Sequence, residues 1–465
     1  MMRTRTVGLL LILPLVFWGA PRGHAQTPSP VSGSQSKSAE TSQSSPLIDL
    51  LKSPDAGVRA RAARDLGKSG DASAIPALAG AVKDANDKVR REAVIALAQM
   101  HQPAVLDPLI TATRDTDEGN RVLAVRSLVG YYTGNVPSPG FAGFVKKNWQ
   151  RAKSRFTVDN TRVDPGLLVE SKVIDALDAA MKDTSSGRAA PEAAKGLGIL
   201  VAQGTVPDLV SAAHSSDTDL AREALNALSK IKDKSAGPRL VDLLDSPNKD
   251  IKRDAAVTVG VLRTKEALPK LQAIYEADPD TKDKEKAMEG LAYLGQQVSV
   301  PLFIKALWSE DKNLRTSGAE GLARAADPKT MPELEKAIAA EKDVGVKLAI
   351  EYAITAQGKN DYLSVIVNEL SSKTRGDVAR PYLVELSRNP QFLPSLYPYL
   401  QSQDAQVRKR LCAVLMFSGD KTSLEELDRL SHDPDGEVVA EALRAKRAIR
   451  ARLAATQPSA EGAKP

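Results

Sequence analysis

The chain has 465 residues, of which 42% are hydrophobic, 26% charged and only 4% aromatic. That length exceeds what one hydrophobic core usually serves, so several domains or a repeat array are expected, and scarce aromatics favour stacked Ala/Leu/Val-rich helices. The formal charge is +6, three of it from Arg3, Arg5 and Arg22 in a leader, and the remainder near +3 is too weak to mark a nucleic-acid binder.

Residues 1–25 read as a secretory signal peptide. Arg3 and Arg5 form the positive start, Val7–Trp18 the apolar run, and Gly23-His24-Ala25 a small-x-small cleavage site. The run is short for a membrane span, no later stretch approaches twenty apolar residues, and no cysteine follows it to carry a lipid. The mature protein is therefore expected outside the cytoplasm, periplasmic or secreted, starting near Gln26 and without a membrane span. Residues 26–45 are Ser/Thr/Gln/Pro-rich and almost without apolar groups, so a disordered tether is expected there.

From residue 46 the chain becomes periodic. Pro46, Pro76 and Pro108 each open a short helical phrase, and Asp55, Asp87 and Asp117 precede a second one. Within the second phrases Arg59, Arg90 and Arg121 are 31 residues apart, as are Ala62, Ala93 and Ala124, and Leu66, Leu97 and Leu128. The aspartates are helix-capping residues, and the following arginine, three or four positions on, is placed to reach such a carboxylate. Alanine lets a neighbouring helix approach and leucine fills the gap, so each repeat depends on its neighbours.

This block, 46–131, is followed by an insertion at 132–169. Six of the 17 aromatics that remain after the leader fall between Tyr131 and Phe156, and Lys146, Lys147, Arg151, Lys153 and Arg155 carry no acid between them. Long insertions in repeat arrays are frequent binding sites. Phe141, Phe144, Lys146, Lys147, Trp149 and Arg151 are the candidate binding residues; the alternative is that the aromatics pack back onto the array and the basic run is a solvated face.

The array resumes over 170–453. Pro207, Pro238, Pro269, Pro301 and Pro332 recur in steps of 31, 31, 32 and 31, each at a first-helix start, where a missing N–H costs nothing. Leu197, Leu228, Val259, Leu291 and Leu322 continue the leucine register, a weaker copy lies near Ile354, and Pro394 restores the pattern. Counting first helices gives about twelve repeats. Residues 454–465 read as a disordered tail.

The phrase D-x-x-V-R-x-x-A-x-x-x-L after a proline-led helix resembles the HEAT repeat, most closely the short type named after phycobilisome lyases. Asp55, Val58, Arg59, Ala62 and Leu66 match it in full. Later copies depart, with Ala221 or Lys252 in the arginine register. The resemblance implies an all-α, alpha-alpha superhelix whose second helices line a concave surface.

Motifs for chemistry are missing. His101, His214 and His432 are far apart, none is followed by Glu, and no HExxH, CxxC or phosphate-loop phrase occurs. The His-Glu iron pairs of deoxyhypusine hydroxylases, an enzymatic use of such arrays, are thus lacking. Cys412, the single cysteine, sits on an apolar helix face and reads as a buried, inert thiol. No catalytic residue, metal ligand or cofactor is assigned. The sequence points to a non-catalytic exported scaffold that binds a protein or peptide partner, with no nucleic acid. A lyase-like enzyme and an envelope glycan-binding component are the alternatives.

Overall fold

The computed structural model describes residues 44–134 and 162–456. These residues form helices, with no strand among them, arranged as twelve helical pairs from Ser45–Leu50 and Ala56–Ser69 to Ser423–Leu430 and Gly436–Thr456. Consecutive second helices pack on one another, as Ala56–Ser69 does on Asp87–Gln99 and Lys249–Val261 on Thr281–Leu294. The architecture is an all-α solenoid. The segment 1–25, expected as a signal peptide, and most of the expected tether lie outside the described residues, but Ser44 and Ser45 belong to the array: the Ser44 hydroxyl donates to Asp71 at 2.5 Å. At the other end the last helix runs to Thr456, so 454–456 are helical, and 457–465 lie outside the described residues.

Capping sets the boundaries. Asp55, Asp117, Asp217, Asp280, Asp311, Asp343 and Asp404 each accept backbone N–H groups at the start of a second helix. Asn86 and Asn248 do the same, and Asp435 accepts from Glu437 and Val438. This corrects the expectation for Asp87. Asn86 is the cap, and Asp87 is the first helical residue, where its charge suits the positive helix end.

The arginine register behaves differently from expectation. Arg59 does not return to Asp55, whose carboxylate is already occupied by the N–H groups of Gly57 and Val58. Its Nη1 donates to the carbonyls of Ser53 and Pro54, while Nε and Nη2 clamp Asp84 of the next repeat at 2.7 and 2.8 Å. Arg90 on Asp115, Arg315 on Glu341 and Arg408 on Asp433 repeat the arrangement. The forked guanidinium closes its own interhelical turn and the neighbouring one together. Hydrogen bonds from Arg59 and Arg408 hold the carboxyls of Asp84 and Asp433 below the usual range. Arg121, where the insertion delays the next repeat, instead donates to the carbonyls of Ser185 and Ser186.

Most first helices carry proline at their first or second position, as Val206–Ala213, Leu268–Ala277, Val300–Leu307 and Met331–Ala340 do. The sixth repeat differs: Lys234–Asp245 is a 3-10 helix, with Pro238 inside it. An interior proline supplies no N–H and clashes with the preceding turn, so the tighter coil replaces an α-helix there. The core is the alanine–leucine register, with Ala93, Leu97, Ala124, Leu128, Ala224 and Leu228 all buried. Second helices touch backbone to backbone in places, and a Cβ added to Gly260 would overlap the Gly290 carbonyl.

Candidate functional site

Counting nine residues on from each cap selects one column of the second helices, in which Ile95, Val257 and Ala413 are apolar and Arg64, Arg126, Asn226, Glu289, Glu320, Tyr352 and Arg444 are polar. This column lies on the inside of the curve. The Tyr382 hydroxyl donates to Glu320 at 2.7 Å although the two residues are 62 apart in sequence, two repeats away. Helices stacked about 9 Å apart in a straight row would hold such residues nearly 20 Å apart, beyond the reach of these side chains. In the N-terminal repeats the column pairs across neighbours, Arg64 with Glu92 at 2.8 Å and Arg126 with Glu192.

In repeats six to ten the inner polar groups converge. The Arg324 side chain, only 4% exposed, donates from Nε to Glu385 Oε1 at 2.9 Å and from Nη2 to Oε2 at 3.0 Å. Its Nη1 points to Glu320 and to the Ala292 carbonyl, and its guanidinium lies 4.6 Å over the Tyr293 ring. Tyr352 and Tyr382 stack with ring centroids 4.2 Å apart and planes 3° from parallel. Arg263 approaches Glu385 from the other side, Nη2 to Oε1 at 3.6 Å.

Burial alone would push the Glu385 carboxyl up, but Arg324, Arg263 and the Tyr352 hydroxyl together hold it below the ordinary glutamate range. Burial, with Glu385 and Glu320 nearby, pushes the Tyr352 and Tyr382 phenols far up, so both stay protonated donors. Arg324 keeps its charge because Glu385 and Glu320 offset its desolvation. Arg324 and Glu385 form a closed pair of opposite charges, and neither they nor the two tyrosines are poised to give or take a proton near neutral pH.

Beside it opens a cleft of about 390 Å³. Thr355, Asn360, Glu385, Asn389 and Gln391 supply its polar lining, and Phe392 and Leu386 part of its apolar one. Sequence reading missed this cluster. The signal was the ninth-position column, where Glu289, Glu320 and Tyr352 replace apolar residues, but its meaning depends on a curvature that one repeat does not encode.

Phe141, Phe144, Lys146, Lys147, Trp149 and Arg151 lie outside the described residues. Asp55, Arg59, Arg90 and Arg121 hold the array together. Cys412 is fully buried and its thiol is pushed up to about 12 by burial. His214 is bound by the Val210 carbonyl and Asp242, His101 is exposed, and His432 contacts the Asp428 carbonyl. Among the described residues no group of three His, Cys, Asp or Glu is arranged to hold a metal ion, and no helix is long and apolar enough to cross a membrane.

The family model described as HEAT repeats matches residues 44–129, 174–260 and 268–355. Solved structures with similar folds include an engineered protein at 20% identity and TM-score 0.37, covering 87% of this chain and 98% of that one. The Escherichia coli protein YibA aligns at 16% identity and TM-score 0.39, covering 64% of this chain and 95% of its own. The karyopherin Kap121p bound to the extreme C-terminus of the protein phosphatase Cdc14p aligns at 12% identity and TM-score 0.39, covering 88% of this chain and 49% of its own. No curated protein matches the sequence.

Proposed function

The chain belongs to the HEAT-repeat family, and on that premise we propose that it is a non-catalytic scaffold whose second helices bind a protein or peptide partner along their inner columns. The observation that carries this reading is the alternation of charge on that surface, with Arg64 facing Glu92, Arg126 facing Glu192 and Arg222 facing Asp254. Such a surface selects a partner by charge complementarity along its length, through many modest contacts, and needs no reacting group. Phycobilisome-lyase-like chemistry finds no support in the closed Arg324–Glu385 cluster.

Two finer elements belong to the proposal. The leader directs export, so protein recovered from its own cells begins near Gln26, which N-terminal sequencing checks. The insertion adds an aromatic and basic contact through Phe141, Phe144, Lys146, Lys147, Trp149 and Arg151 for an acidic segment of the partner. Replacing Lys146, Lys147 and Arg151 with Glu then leaves the helical circular dichroism unchanged and weakens capture of the partner. Undiminished capture removes the insertion from this account.

A small polar ligand such as a glycan is the second reading, favoured by the amide-lined cleft beside Glu385. A thermal-shift screen of oligosaccharides distinguishes it: stabilisation abolished by Asn389→Ala supports a glycan, and a flat screen leaves the protein partner alone.

A further inference from the structure

Arg444 occupies the inward column of the last repeat, and its partner lies 280 residues earlier in the chain. Its Nε and Nη2 clamp Asp164 at 3.0 and 2.6 Å, while Nη1 donates to Glu441 at 2.7 Å. Asp164 sits in the last part of the 132–169 insertion, shortly before the first helix of the fourth repeat, Ser171–Lys182. That segment is anchored: the Val163 N–H donates to the Ile199 carbonyl at 2.9 Å, and the Val163 side chain is buried.

A second contact supports the first. Gly166 has φ +84°, a conformation that favours glycine, and a Cβ added there would overlap the Ala451 methyl. Arg444 and Ala451 are seven residues apart, two turns along one face of the terminal helix. A bidentate ion pair and a close backbone approach thus meet the same face from residues 164 and 166. The Arg444 and Asp164 side chains are 44% and 32% exposed, so salt screens the pair and the contact is reversible.

We infer that residues 163–166 form a clasp that closes repeats four to twelve onto themselves, and that its release admits a partner to the inner columns. The clasp stands on its own geometry; the admission of a partner rests on the scaffold reading.

The test compares the full-length protein with Arg444→Glu, Gly166→Val and the charge exchange Asp164→Arg with Arg444→Asp. Helix content is followed by circular dichroism, dimensions by small-angle scattering, and amide exchange by mass spectrometry. Arg444→Glu and Gly166→Val are expected to keep their helix content, to raise the radius of gyration, and to speed exchange over residues 444–451 about fivefold. The exchanged pair returns both readings to the parent values. Unchanged dimensions and exchange in Arg444→Glu and Gly166→Val overturn the clasp. Should Arg444→Glu lose helix content, Gly166→Val decides, since it lies outside every helix. The same proteins, immobilised and exposed to an envelope extract, separate the two halves of the inference. Stronger partner capture by Gly166→Val, which leaves the inner columns unchanged, supports admission, and capture equal to the parent's overturns it while leaving the clasp. Capture by none of them counts against the scaffold reading instead.

Discussion

Arg324 shows how much of this molecule hangs on single inward side chains. Its charge is buried against Glu385 and Glu320, so removing one partner leaves the other desolvated and unpaired. Arg324→Ala is expected to cost about 3–5 kcal/mol in urea unfolding. The triple change Arg324→Met with Glu385→Leu and Glu320→Gln should cost clearly less than that, because no buried carboxylate is then stranded. Equal losses in both proteins would mean that packing, and not charge, governs the site. Glu385 also ties the cluster to pH. Its folded-state pKa lies below the ordinary glutamate value, so its stabilisation is present above that value and lost as pH falls through it toward the folded one. Glu223 and Asp254, raised by burial, act in the opposite sense, so the reading is the difference between the parent and Glu385→Gln. The parent should lose more stability than the variant between neutral pH and the acid range. Cys412, buried and with its thiol pushed up to about 12, should react with a thiol reagent at pH 8 only after unfolding.

At the scale of the helix pair, much of the structure was legible in the sequence. The 31-residue spacing of Arg59, Arg90 and Arg121, the alanine and leucine registers, and the proline starts all reflect contacts within one repeat or with the next. What the spacing hid was the target of each arginine. Asp84, Asp115 and Asp433 lie 25 residues beyond Arg59, Arg90 and Arg408, and only the stacking of one pair on another brings them into reach. Likewise Asp87 and Asn86 are both good caps, and the choice between them is made by where the turn begins. Arg408→Ala, which removes both the Asp433 clamp and the carbonyl contacts, should cost about 2 kcal/mol. Asp311→Ala should cost about 1 kcal/mol through the lost cap. Gly260→Leu, forced against the Gly290 carbonyl, should cost about 3 kcal/mol. Chemical denaturation measures all three, and a loss for Asp311→Ala as large as that for Gly260→Leu would contradict this ranking.

Across the whole molecule, curvature creates what the repeats do not contain individually. Glu320 meets Tyr382 two repeats away, and Asp164 meets Arg444 at the far end of the array. Neither pairing has a signature in local sequence, because the small rotation between successive repeats accumulates into it. The same curvature places alternating charges along one inner surface, and the scaffold proposal depends on that surface. Affinity capture from an envelope extract, read by mass spectrometry, tests it most directly. The parent protein is compared with a variant carrying Arg64→Glu and Arg126→Glu in the inner column of the first and third repeats. The account predicts a specific protein captured by the parent and lost or strongly reduced with the variant. A partner retained equally by both, or no protein partner while a glycan binds, would contradict it.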